Sequence, residues 1–372
     1  MLNYEFPPLG GGAANACEYI IRDMAQKGVE VDLVTSSPDG YKTEQIGSSI
    51  NIYKLAVDKK SIHYWTHREI LTYSWKARIF IKSLMKQRKY SLCHAFFGIP
   101  CGAIAYLYRQ NLPYIVSLRG SDVPGFNKRF SFQYVFLKPV IRRVWRNAEA
   151  IIANSDGLKE LAQKTDPDCE MGIIYNGIDI KQFKPDENRK NGGKLRVICV
   201  SRLIGRKGID YLLQSIPRIK EKGGSPLELR IIGEGNQENQ LKTLSRELGL
   251  EDTVSFAGYV EHSRLPVEYA ASDIFVIPSF NEGMSNSILE AMACGLPIVA
   301  TDTGGSKELI DGNGIIIPTG QIESITASLQ ALIEDSGKRT KMGRRSRQLA
   351  ESLSWDKVTT AYINEYEKHG KS

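Results

Sequence analysis

The chain has 372 residues, 42% of them hydrophobic and 24% charged, which suits two ordinary globular domains and excludes a disordered chain. The formal net charge is +7, and residues 1–180 supply most of it, with 23 Lys and Arg against 17 Asp and Glu. No apolar run approaches the ~18 residues of a membrane span. The six cysteines show neither a CxxC pair nor metal-ligand spacing, so they read as reduced core residues of a cytoplasmic protein.

Met1-Leu2-Asn3-Tyr4-Glu5 runs straight into a Pro-Pro-Leu-Gly-Gly-Gly loop, with no signal peptide. Only the end of a first strand is present, against about five apolar residues expected of one. Either translation begins late or the sequence starts inside that strand. The periodicity then predicts an amphipathic helix over Ala14 to Gln26, stopped by Gly28, and a strand over Glu30 to Thr35. From Lys59 to Lys89, nine basic residues and one acid, Glu69, interleave with Tyr64, Trp65, Tyr73, Trp75 and Phe80. Lys128 to Arg146 has six basic residues, no acid, and Phe130, Phe132, Tyr134, Phe136 and Trp145. Such segments either form solvated helix faces over an ordinary core or meet an anionic membrane surface as a peripheral protein. No recognised nucleic-acid module appears, so nucleic acid is not an expected partner. Ser91 to Ala95, Tyr114 to Leu118 and Ala150 to Asn154 read as further short strands, and Leu158 to Gln163 as a helix. Strands alternating with helices predict a parallel sheet covered on both faces.

Ile180 to Lys194 is polar, with Pro and two Gly, and reads as a linker. The alternation then restarts. Leu195 to Val200, Leu227 to Ile232, Val254 to Ala257, Ile274 to Ile277 and Ile298 to Thr301 read as strands, and Gly208 to Ile219 and Gln237 to Leu248 as helices. The expected division is therefore 1–179, a linker over 180–194, a second domain over 195–352 and a closing helix within 353–372. That helix, Trp355 to His369, starts after Ser354 as natural N-cap and carries an apolar stripe of Val358, Ala361, Tyr362 and Tyr366 that needs a surface to bury against.

Several loops suit an anionic ligand. Gly10-Gly11-Gly12 precedes the first helix; it is either a tight turn or a place where the backbone approaches a phosphate. Ser201-Arg202-Leu203-Ile204-Gly205-Arg206-Lys207-Gly208 follows a strand with three cations, which either clamp a diphosphate or merely cover a surface. Gly233-Glu234-Gly235 and Gly258-Tyr259-Val260 end strands where turn chemistry or contact with a planar base explains them equally. Glu282-Gly283-Met284-Ser285-Asn286-Ser287 leads into a helix whose amide groups suit a phosphate. Glu290 lies eight residues beyond Glu282, between Leu289 and Ala291. A carboxylate there needs either a ligand or an internal partner.

Together these segments resemble the retaining glycosyltransferases of the GT-B fold, family 4 (group 1). The resemblance rests on Glu282 and Glu290 in an E-x7-E pattern backed by Gly295-Leu296-Pro297-Ile298-Val299, and on Ser201-Arg202-Leu203 with Lys207-Gly208. Asn176-Gly177-Ile178-Asp179 with Phe183 and Pro185, Pro7-Pro8 with Gly10-Gly11-Gly12, and Ser354-Trp355 complete it. It implies two Rossmann-like α/β domains facing a central cleft, with the last helix packing back on the first domain. It implies transfer of a hexose or hexosamine from a UDP- or GDP-linked sugar to a glycan or lipid-linked acceptor in surface polysaccharide or glycolipid synthesis, with no metal or other cofactor. The resemblance makes Arg202 and Lys207 the diphosphate clamp, Glu290 the ribose ligand, and Glu282 the grip on donor-sugar hydroxyls. Gly283, Met284, Ser285 and Asn286 would meet the donor sugar or its phosphate. Gly233, Gly235 and Tyr259 would flank the base, and Gly11 and Gly12 would approach the donor.

One loop departs from the family. Many relatives carry His-Gly-x-Asp where this chain has Arg119-Gly120-Ser121-Asp122. Arg119 and Asp122 fall on the acceptor side; Arg119 either holds an acidic group of acceptor or donor, or forms an ion pair with Asp122. His94, ending a strand, reads as a satisfied core histidine. The alternatives are a nucleotide-sugar 2-epimerase, which shares the two-domain fold, and a non-catalytic sugar-nucleotide binder.

Overall fold

The computed structural model describes residues 1–59, 65–126, 131–186, 194–221 and 226–371. Tyr64, Lys128, Phe130 and residues 187–193 of the expected linker lie outside the described residues. The chain divides into two compact units, Met1–Gly177 with Trp355–Ser372, and Ile178–Ser354.

The first unit runs α1 (Gly12–Gln26), β1 (Val31–Ser37), β2 (Lys42–Ile46), β3 (Ile50–Ala56), α2 (His67–Gln87), β4 (Cys93–Phe96), α3 (Ala103–Tyr106), β5 (Tyr114–Ser117), α4 (Ser131–Arg146), β6 (Ala150–Ala153), α5 (Asp156–Gln163) and β7 (Gly172–Ile173). Leu2 forms parallel bridges to Val34 of β1 and Ala95 of β4. Its amide donates to the His94 carbonyl at 2.8 Å, and the Phe96 amide donates back to the Leu2 carbonyl at 2.8 Å. Residue 2 thus stands in the first-strand position between β1 and β4, joining the ladder β1-β3-β2 to β4-β5-β6-β7. Every pairing is parallel except that of β2, an exposed edge strand antiparallel to β3. The β2–β3 hairpin is absent from the sequence reading, because Lys-Thr-Glu-Gln-Ile offers no apolar alternation.

The second unit runs β8 (Leu195–Val200), α6 (Ile209–Glu221), β9 (Leu227–Ile232), α7 (Glu238–Glu247), β10 (Val254–Phe256), α8 (Leu265–Ala270), β11 (Ile274–Ile277), α9 (Asn286–Ala293), β12 (Ile298–Thr301), α10 (Gly304–Lys307), β13 (Gly314–Ile317), α11 (Ile322–Glu334) and α12 (Ser336–Ser352). Its six strands are all parallel, in the order β10-β9-β8-β11-β12-β13. The central strands β11 and β12 are buried along their whole length, as expected of apolar runs covered by helices on both faces. Winding reverses between β8 and β11, and the crevice outside the carboxyl ends at such a switch point is where open α/β sheets bind ligands.

The last helix, α13 (Trp355–His369), belongs to the first unit. Trp355, Val358 and Tyr362 join the core that holds Cys17 and Ile20 of α1, and Tyr366 packs on its edge. The Trp355 ring stacks on Tyr19 with centroids 5.0 Å apart. Gly177 lies so close that a Cβ there would stand 2.5 Å from the indole. The unit boundaries fall at 177/178 and 354/355 rather than at 179 and 353, because Ile178 bridges Ser354 and donates to the Leu353 carbonyl at 2.9 Å. Residues 180–186 of the expected linker also lie in the second unit, where Arg347 donates to the carbonyls of Ile180, Phe183 and Ala293. The α/β class read from the sequence is the class observed: two Rossmann-like units built on parallel sheets.

Candidate functional site

In the second unit, the loops after β8 and β11 meet at the switch point. The Phe280 amide donates to the Arg206 carbonyl at 2.8 Å, and the Arg206 guanidinium donates to the Asn281 carbonyl at 3.1 Å. Gly208, at φ +62°, lets them touch: a Cβ there would lie 2.3 Å from the Pro278 carbonyl oxygen. Across this seam Lys207 Nζ donates to Glu282 Oε1, which also accepts from Ser279 Oγ at 2.7 Å. Both charged side chains are at least nine-tenths buried, so each supplies the compensation that burial of the other demands. Arg202, by contrast, is exposed, and its guanidinium makes no ion pair among the described residues.

Gly283, Met284 and Ser285 form the loop that enters α9, which begins at Asn286 with Ser285 as a cap residue that makes no side-chain capping bond. Glu282 is a loop residue at the sheet edge, ahead of the helix, and Glu290 lies inside it, as the sequence reading expects. Glu290, one helical turn into α9, is 6% exposed. The Tyr269 hydroxyl donates to its Oε2 at 2.8 Å, and His262 Nε2 lies 3.2 Å from Oε1. An internal partner therefore exists, and a carboxylate with four lone-pair directions keeps acceptor capacity beyond these two. Burial and the Glu290 charge hold the Tyr269 phenol well above its usual value, so it remains a donor. Neither His262 nor Tyr269 is singled out by the sequence, since nothing local to either residue shows that the 3-10 turn His262–Arg264 and helix α8 will face Glu290.

Gly233 and Gly235 lie against the β8 loop. A Cβ at Gly233 would stand 1.9 Å from the Ser201 carbonyl oxygen, and one at Gly235 2.1 Å from that of Leu203. These glycines permit the close seam on which Arg202 sits. Tyr259 is 65% exposed on the neighbouring loop after β10, where the Gly258 carbonyl accepts from the Gly233 amide at 2.8 Å.

The first unit holds a separate cluster. Asp122 is buried, and its carboxylate accepts from the backbone amides of Arg119 at 2.9 Å and Gly98 at 2.7 Å, tying the loops after β5 and β4 together. Burial raises its pKa despite these bonds. The Arg119 side chain does not pair with Asp122. Its guanidinium donates to Asn176 Oδ1 at 3.0 Å and to the Tyr362 hydroxyl at 3.1 Å, and lies 4.4 Å from the Phe96 ring centroid. Its Nε is buried without a partner. Among the described residues no carboxylate oxygen lies within ion-pair distance of this guanidinium, although Asp122 is close enough to feel its charge. His94 is a satisfied core residue: Nδ1 lies 2.6 Å from the Tyr366 hydroxyl and Nε2 2.7 Å from Ser117 Oγ. Burial, then the Arg119 charge, holds its pKa well below the ordinary histidine value. Gly11 and Gly12 are exposed at the start of α1, and a Cβ on Gly11 would meet nothing within 4 Å, so packing does not require glycine there.

The family model for glycosyl transferases group 1 matches residues 180–349, and that for glycosyltransferase family 4 matches residues 10–182. The chain is 27% identical to an uncharacterized glycosyltransferase of Methanocaldococcus jannaschii over 98% of its own length and 97% of the relative's. It is 28% identical to the GDP-mannose-dependent alpha-(1-6)-phosphatidylinositol monomannoside mannosyltransferase of Mycobacterium tuberculosis, over 59% of this chain and 62% of that one. Among solved structures, Anabaena HepE in complex with UDP and glucose superposes with a TM-score of 0.74 at 20% identity, covering 99% of this chain and 98% of the other.

Proposed function

The chain belongs to the group 1, family 4 glycosyltransferases, and from that membership we propose that it moves a hexose or hexosamine, with retention, from a UDP- or GDP-linked sugar to a glycan or lipid-linked acceptor. The observation that carries the donor half is the Lys207–Glu282 pair at the switch point between β8 and β11. In this reading the diphosphate sits against Arg202, Lys207 and the start of α9. The ribose meets Glu290, the base lies by Gly233, Gly235 and Tyr259, and the sugar meets Glu282 and the loop through Asn286.

The chemistry follows from the charges. As the bond from the anomeric carbon to the diphosphate oxygen breaks, negative charge grows on that oxygen; two cations and a helix amino terminus stabilise it. The acceptor oxygen forms the new bond to the same carbon, and its proton passes to the leaving phosphate. Glu282, whose Oε1 is held by the Lys207 ammonium and the Ser279 hydroxyl, presents its other oxygen as a fixed acceptor for sugar hydroxyls. The reading therefore needs no side-chain base, and no cofactor beyond the nucleotide sugar. Arg119, a cation with no ion pair among the described residues, would hold an acidic group of the acceptor. UDP in Anabaena HepE and GDP-mannose in the M. tuberculosis relative keep both bases in the proposal. The phosphatidylinositol mannoside acceptor named for that relative supports glycolipid or surface-polysaccharide synthesis.

The test is a thermal-shift and calorimetric screen of UDP, GDP and their sugar conjugates, followed by transfer assays and NMR of the product anomer. One nucleoside diphosphate should stabilise the wild-type protein. Arg202→Ala and Lys207→Ala should each weaken its binding by roughly 1.5–3 kcal/mol, the range of a charge-assisted hydrogen bond. Affinity unchanged in both variants would overturn the donor site, and an inverted product anomer would overturn retention.

A further inference from the structure

A helix packed on a globular core shows one apolar stripe inward and polar residues outward. Two helices of the first unit break this rule. On α2, Tyr73, Ala77, Ile81 and Leu84 are buried, yet Leu71, Trp75 and Ile79 form a second row, every fourth residue, facing outward. On α4, Tyr134, Ile141 and Val144 are buried, while Phe132, Val135, Phe136 and Val140 face outward. These outward residues are 45–74% exposed, and the Phe132 and Phe136 rings pack edge to face 5.4 Å apart.

The two rows belong to one surface. α3 lies between the helices: the Tyr108 hydroxyl just beyond it donates to the Arg78 carbonyl on α2 at 2.6 Å, and Arg143 of α4 donates to the Tyr106 hydroxyl at 2.6 Å. Leu107, also exposed, bridges the gap. Cations rim the patch, with Arg68, Arg78, Lys82 and Lys86 exposed on α2 and Lys138 on α4. Glu69 is the one acid in either helix, and it is buried in the capping box of α2 with Thr66.

We propose that this two-helix face inserts shallowly into an anionic lipid bilayer. The apolar rows would enter the headgroup and acyl boundary while the lysines and arginines stay with lipid phosphates, as an interfacial amphipathic surface does. Charge selects this occupant. A second copy of the same face would bring like charges together, whereas an anionic leaflet supplies the complement. No helix among the described residues is long and apolar enough to cross a membrane, so the contact is with one leaflet.

The chain provides its own reporter. Of its four tryptophans, Trp65, Trp145 and Trp355 are buried and Trp75 is 65% exposed within the patch. The full chain is mixed with phosphatidylcholine vesicles, with and without phosphatidylglycerol, and followed by flotation and tryptophan emission. Flotation with the anionic vesicles and a blue shift quenched by brominated lipid are expected. Trp75→Ser with Phe136→Ser should cut partition at least about tenfold, as the loss of two large inserted side chains requires, while keeping all cations. Lys82→Glu with Lys86→Glu should cut it as well. Both pairs are on the surface, and unchanged far-UV dichroism confirms folding. Absence of flotation at low salt, flotation without a Trp75 shift, or a concentration-dependent dimer abolished by the serine pair would each overturn the proposal. The assay involves no sugar transfer, so its failure leaves the donor-site reading standing.

Discussion

Arg119, in the loop after β5, donates to the Tyr362 hydroxyl on α13 at 3.1 Å, although 243 positions of sequence separate them. The same hydroxyl accepts from Ser117 at 3.1 Å. The last helix therefore holds the Arg119 cation in place. Tyr362→Phe keeps the ring and removes the acceptor, leaving a partly buried guanidinium short of a partner. Unfolding by urea should show a loss of about 1–3 kcal/mol, the cost of stranding such a group. If Arg119 meets the acceptor, the variant should also raise the acceptor KM and leave the donor KM alone. Stability within about 0.5 kcal/mol of wild type, the level of an ordinary surface change, would show that the bond carries no weight.

Lys207 and Glu282 should behave as a unit. Removing one alone leaves the other charge buried, and Lys207→Met or Glu282→Leu should each destabilise the second unit by about 3–5 kcal/mol. The double variant should be less damaged than the sum of the two, with a coupling energy of about 1–3 kcal/mol in a double-mutant cycle. Strict additivity would mean that the pair is not formed in solution.

His94 predicts a pH dependence. Its folded-state pKa is depressed by burial, so below the unfolded value of about 6.5 the unfolded chain binds the proton first. The stability that neutral His94 contributes is complete above that value and is lost as pH falls toward the folded pKa. Between pH 7.5 and 5 the wild type should lose up to about 1.4 kcal/mol per pH unit to this site alone. His94→Gln, neutral throughout, should show a shallower slope in denaturant titrations over the same range. Parallel slopes would assign the dependence to other groups.

Tyr269→Phe tests how Glu290 is held. Loss of the buried donor should cost about 1–3 kcal/mol of stability. Should Glu290 bind ribose, nucleoside diphosphate affinity should fall while affinity for inorganic pyrophosphate does not. Equal losses for both ligands would place Glu290 on the diphosphate instead.

How much of this was readable beforehand depended on distance along the chain. Strands β8, β9, β11 and β12 were legible to the residue, since each is a continuous apolar run bounded by turn residues. The β2–β3 hairpin was not, because an exposed edge strand of Lys, Thr, Glu and Gln has no periodicity to read. The candidate site residues could be named one by one from their loops. Their pairing could not: Lys207 meets Glu282 across 75 positions only because strand order sets β8 beside β11. The same holds for Glu290 with Tyr269 and for Arg119 with Tyr362, where the partner is fixed by packing and carries no local signature. The two basic aromatic segments were visible as composition, but which aromatics face outward required knowing which face of each helix the core takes.

The division of the chain has a consequence for biosynthesis. The second unit is one continuous stretch, Ile178–Ser354, and holds all it needs once it has left the ribosome. The first unit emerges earlier yet cannot close its core, because Trp355, Val358 and Tyr362 belong to it and are translated after the second unit. Until then the surface of α1 that α13 covers stays open to chaperones or to wrong partners. Folding order is thus inverted relative to synthesis: the later unit can finish first, and the earlier one waits for the final helix.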